Sequence, residues 1–90
     1  MTCDKVREII TAYAVELRKW PGGPERIIDK PLTEANCRNH LLYMCDELLT
    51  WGDERKEKMM RWLGFIQGVL AMVERTPVEV LKETNKPIGA

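Results

Sequence analysis

Phenylalanine and histidine each occur once in this 90-residue chain, and neither sign of charge is in excess: 14 lysines and arginines face 14 aspartates and glutamates. A neutral balance argues against a general binder of phosphate backbones, which carries a basic face. The lone His40 and three cysteines contain no CxxC pair, so no recognised zinc module is present. No apolar run is long and uninterrupted enough for a membrane span. The first residues, MTCDKVREII, are charged and amphipathic and lack the apolar segment of a secretory signal. Cys3, Cys37 and Cys45 are odd in number. We therefore expect reduced thiols and a cytoplasmic protein.

What is present is the composition of a soluble globular domain, 44% hydrophobic and 31% charged. Three tryptophans and five methionines supply the bulk that phenylalanine does not. The length suits one domain with a single core.

Helical periodicity runs through the chain. Val6, Ile10, Tyr13, Leu17 and Trp20 alternate spacings of four and three and form one stripe, widened by Ile9, Ala12 and Ala14. The spacing predicts a first helix over 3–20, capped by Thr2 or Cys3–Asp4 and ended by Pro21-Gly22-Gly23-Pro24. Residues 21–32 read as a linker, with Ile27 and Ile28 tucked against the helices. A second helix is expected over 34–51, with Thr33 as N-cap and Gly52 as the C-terminal glycine. Its stripe is Cys37, Leu41, Met44, Leu48 and Trp51. A very short turn then leads to a third helix over 53–74, antiparallel to the second, whose charged start DERKEK offers pairs such as Asp53–Lys56 and Glu54–Lys58. Thr76, Pro77 and Glu79 predict a short fourth helix over 77–84, stopped by Asn85-Lys86-Pro87. The expected fold is all-α: an antiparallel three-helix bundle with a short fourth C-terminal helix, in one domain spanning 1–90.

The third helix is the most informative element. The run MMRWLGFIQGVLAMV is apolar around most of its circumference, yet it carries Gly64 and Gly68 one turn apart. Each costs about 1 kcal/mol against alanine in a helix interior, so the pair needs a reason. Close approach by another backbone is that reason, either from the first or second helix of the same chain or from a partner across a dimer axis. Packing within the monomer is the reading favoured here. Charges on either side exclude the membrane use of such a glycine pair.

The chemistry-bearing residues form no convincing constellation. Cys37 and His40 lie at i,i+3, with Glu47 a heptad further on, but their helix face also carries Leu41, Met44 and Leu48 and is needed for packing. Asp46–Glu47 and Asp53–Glu54 are adjacent in sequence and diverge on a helix, so neither pair shares a proton. Gly22-Gly23 sits between prolines and lacks the lysine of a phosphate-cradling loop. We expect no catalytic residues, no metal and no cofactor. For nucleic acid, the third and fourth helices could imitate a helix-turn-helix with Lys82 and Lys86 outward, and Arg18, Lys19, Arg26 and Lys30 could make a patch near the linker. Glu79, Glu83, Glu25 and Asp29 work against both.

The string Met60-Arg61-Trp62-Leu63-Gly64-Phe65-Ile66-Gln67-Gly68-Val69-Leu70, preceded by Asn39-His40-Leu41 and Met44-Cys45-Asp46-Glu47, resembles a family of small uncharacterised all-helical proteins encoded in phages and prophages. Thr76-Pro77-x-Glu79-x-Leu81 with Asn85-Lys86-Pro87 is similar to their C-terminal end, so the resemblance covers about 36–87. It departs after Leu70, where Ala71-Met72-Val73-Glu74 stands in place of an aromatic and a glycine. The resemblance implies an accessory or regulatory role in the host-cell cytoplasm and supplies no catalytic residues.

These readings together point to a non-enzymatic protein–protein interaction module whose partner is another protein or a second copy of itself. The candidate contact residues are Trp20, Trp51, Trp62 and Met72 for bulk, Arg61 and Gln67 for polarity, and Gly64 and Gly68 for close approach. A small nucleic-acid-binding regulator is the alternative.

Overall fold

The computed structural model describes residues 1–74, and those residues form an all-helical structure without strands. The expected fourth helix over 77–84 lies outside the described residues. The described residues contain three α-helices, α1 (Cys3–Leu17), α2 (Glu34–Leu48) and α3 (Lys56–Val73), with one turn of 3-10 helix over Asp53–Arg55. Each α-helix packs on the other two.

Both N-caps follow from the sequence. The Thr2 hydroxyl accepts the Lys5 N–H and the Thr33 hydroxyl accepts the Asn36 N–H, each at 3.1 Å, satisfying donors that a bare helix start would leave unpaired. The helix ends depart from expectation. α1 stops at Leu17 rather than 20, because the residue before Pro21 disfavours helical geometry. The chain instead tightens through Lys19 N–H to Glu16 O and Trp20 N–H to Leu17 O. α2 stops at Leu48 rather than 51, with Thr50 and Trp51 closing tight i→i−3 bonds behind it. Gly52 is not the left-handed C-terminal glycine expected. At φ −82° and ψ 174° it is extended, and it precedes the 3-10 turn. The third rod therefore begins as 3-10 and becomes α-helical at Lys56.

The core joins Val6, Ile9, Ile10, Ala14 and Leu17 of α1, Leu41, Leu42, Met44, Cys45 and Leu48 of α2, and Met59, Leu63, Ile66 and Leu70 of α3. Polar clasps hold the two ends. Near the start of α1, Arg7 donates to the Asp53 carboxylate at 2.6 Å and to the Trp51 carbonyl at 3.1 Å. Asp53 thus bonds across the fold to α1. At the other end Arg38 lies 3.8 Å over the Trp20 ring and donates to Glu74 at 2.7 Å. Tyr13 and Gln67 meet midway. These interactions place the starts of α1 and α3 at one end with the end of α2, so α2 runs back along both.

Candidate interaction surface

α3 buries an arc centred on Met59, Leu63, Ile66 and Leu70. Stepping about 100° per residue, Arg61, Gly64, Phe65, Gly68 and Met72 fall on the opposite side. Phe65 is 52% exposed there and Met72 82%, and Arg61 and the two glycines are open to solvent beside them.

Here the structure corrects the favoured reading of the glycines. Among the described residues, a β-carbon built on Gly64 or Gly68 would meet nothing within 4 Å. Neither α1 nor α2 approaches them, because both neighbours sit on the bulky side of α3. Phe65 is likewise turned outward.

Gln67 is also placed differently from a surface contact residue. It is 6% exposed, and its side-chain amide donates to the Tyr13 hydroxyl at 3.0 Å. Burial pushes the Tyr13 phenol above its ordinary pKa, and the bond from Gln67 opposes that rise. Trp51 and Trp62 are half-buried and meet edge to face, with ring centroids 4.5 Å apart and the Lys58 ammonium over both. Trp20 lies past the end of α1, under Arg38. The three tryptophans thus do not join the exposed face of α3.

Beside that face runs an apolar groove of about 560 Å³. Ile27 and Leu32 from the linker form one wall, Cys37, His40 and Leu41 of α2 the floor, and Phe65, Val69 and Met72 of α3 the other wall. Leu32 is 89% exposed at the rim. The linker reaches this place as a strap across α2. Gly22 turns it at φ +103°, a conformation that favours glycine, and the Asn39 side-chain amide packs against its open side. The Glu25 N–H then bonds the Asn39 carbonyl, and the Ile27 N–H bonds Nδ1 of His40, each at 3.1 Å. The tucking of Ile27 is legible in its apolar character, but Ile28, expected to tuck beside it, is 70% exposed. The partnership with His40, 13 residues away through an irregular loop, has no signal in the sequence.

The reactive residue types are held apart or occupied. Cys45 is fully buried, and that burial, with Asp46 beside it, pushes its thiol up to about 12. Cys3 is buried and points at the Asp53 carbonyl. Cys37 is half-buried on the groove floor beside His40, whose Nδ1 is already taken. Among the described residues, no three histidine, cysteine or acidic side chains are gathered to hold a metal ion. No described helix is long and apolar enough to cross a membrane. No family model, curated protein or solved structure matches this chain.

Proposed function

We propose that this chain is a non-enzymatic interaction module, an accessory or regulatory protein of phage or prophage origin, and that it self-associates along the outer face of α3. The observation that carries this reading is the open glycine pair. Gly64 and Gly68 together cost the helix about 2 kcal/mol against alanine, and no contact among the described residues repays it. Beside them stand Phe65 and Met72, two bulky apolar groups left in water. A face that offers two knobs next to a hollow is complementary to itself about a two-fold axis, the commonest symmetry of soluble oligomers. Arg61 at the edge of the face is of a type enriched at the centres of interfaces.

The nucleic-acid alternative draws on the basic residues near the linker. Arg18 is paired with Asp46, Lys19 with Glu16 and Lys30 with Glu25, so most of that patch is neutralised where it stands. The interaction reading is preferred for that reason.

Sedimentation equilibrium of the full chain tests the proposal. The expected mass is twice the 10.4 kDa of one chain. Gly64→Ala and Gly68→Ala give opposite effects on two measurements. Each raises the thermal stability of the dilute monomer, by about 1 kcal/mol, because the added methyl enters open space. Each also weakens the dimer, because the methyl fills the hollow. A 10.4 kDa species at every attainable concentration overturns self-association and leaves a different protein as the partner.

A further inference from the structure

The strap over the groove is fastened to α2 by two backbone N–H groups, those of Glu25 and Ile27. The Glu25 bond goes to a main-chain carbonyl and does not change with pH. The Ile27 bond goes to an imidazole nitrogen. An amide N–H can only donate, so Nδ1 of His40 must offer a lone pair, which fixes the ring as the neutral Nε2–H tautomer. Protonation places a hydrogen on Nδ1 and turns the acceptor into a second donor facing the first. We propose that His40 is a pH-sensitive pin, and that its protonation releases Ile27 and the adjoining strap from α2 and opens the groove between α2 and α3.

The described surroundings favour the pinned state near neutrality. Burial is the larger influence and the Arg26 guanidinium on the strap the smaller, and both hold the His40 pKa below its usual 6.5. From α2 the ring meets Tyr43, tilted against it at 5.8 Å, and shares the groove floor with Cys37 and Glu34. Glu34 lies 3.6 Å from Arg38. From α3 the groove receives only Phe65, Val69, Met72 and Val73, which carry no charge. On the strap, Glu25 is engaged with Lys30 at 2.6 Å. Once the ring is charged, it faces Arg26 without the hydrogen bond that held it, and repulsion adds to the release. Because the folded chain resists the proton, the unfolded chain binds it first. Stability therefore falls as pH drops through the unfolded histidine value of 6.5 and levels off below the folded one.

This inference deepens the interaction reading, since Phe65 and Met72 belong both to the groove and to the exposed face of α3, but its test does not need a dimer. Nitrogen NMR of the full chain reports the His40 tautomer, and amide exchange, corrected for its intrinsic pH dependence, reports protection at Ile27. The expected result is the Nε2–H form at about pH 8 and a loss of Ile27 protection of about fivefold or more on titration to about pH 5. In His40→Asn, which keeps an acceptor near the Nδ1 position and does not titrate, protection stays level with pH. In His40→Ala it is low throughout. An Nδ1–H tautomer, or Ile27 protection unchanged through the wild-type titration, overturns the proposal, and the wild-type result decides even where a variant does not fold. A chain that is monomeric yet releases its strap overturns self-association alone.

Discussion

Three cysteines of one type occupy three chemical settings, and their positions on the helices decide which can react. Cys45 belongs to the fully buried arc of α2, where no charge is tolerated and the thiol rises to about 12. Cys3 closes the start of α1 against the Asp53 carbonyl. Cys37 sits one turn from the helix start, on the half-open groove floor. Thiolate, not thiol, is the nucleophile, and access limits its reaction. In the native chain a thiol reagent should therefore modify one cysteine first, and peptide mapping should identify it as Cys37. Cys3 and Cys45 should follow only at the rate of unfolding. Early labelling of Cys45 would contradict the packing of α2 against α1 and α3. The eight-residue spacing in the sequence sets Cys45 about 80° round α2 from Cys37. It could not show that a strap crosses beside Cys37, because the strap's path depends on a left-handed Gly22 and on two bonds that no periodicity encodes.

At the scale of the element, periodicity found all three described helices but misjudged where α1 and α2 stop and which way α3 faces. Starts were legible because Thr2 and Thr33 cap by a local rule that needs no tertiary knowledge. Ends were not, since the last turns relax into tight i→i−3 bonds once they leave the core. α3 is the instructive case. From Met59 onward every position except Arg61 and Gln67 is apolar or small, so the sequence pattern could not say which half would be covered. The bundle chose the arc with Met59, Leu63, Ile66 and Leu70, the side that buries most branched and long side chains. This leaves adjacent residues with opposite fates and a direct check. Ile66→Ala should cost about 2–5 kcal/mol, since its side chain is fully buried and its removal leaves a cavity. Phe65→Ala, one residue earlier, should change the stability of the dilute monomer by about 0.5 kcal/mol or less. Urea titrations of both variants would measure this, and a reversed order would mean that α3 is rotated from the orientation described.

For the whole molecule, the question is what holds three helices in register when the linker between the first two is long and contributes little to the core. The apolar core alone allows sliding, whereas the clasps at either end do not. Arg38 is the stronger candidate. Its side chain is 11% exposed, lies over Trp20 after α1, donates to Glu74 after α3, and projects from α2 itself, so one guanidinium spans all three helices. A planar fork can stack and donate at once, which an ammonium cannot. Arg38→Ala should thus destabilise the fold by about 2–3 kcal/mol, the range for hydrogen bonds to charged groups, and it also uncovers the Trp20 ring. Arg38→Lys should recover only part of that, because the stacking goes with the plane. Glu74→Gln should cost less than either, about 1 kcal/mol, since a neutral acceptor remains and the stack on Trp20 is untouched. Chemical denaturation of the three variants beside the parent chain measures the order. If Glu74→Gln proves as costly as Arg38→Ala, the ion pair rather than the three-way bridge sets the register, and the long linker is free of Arg38's control.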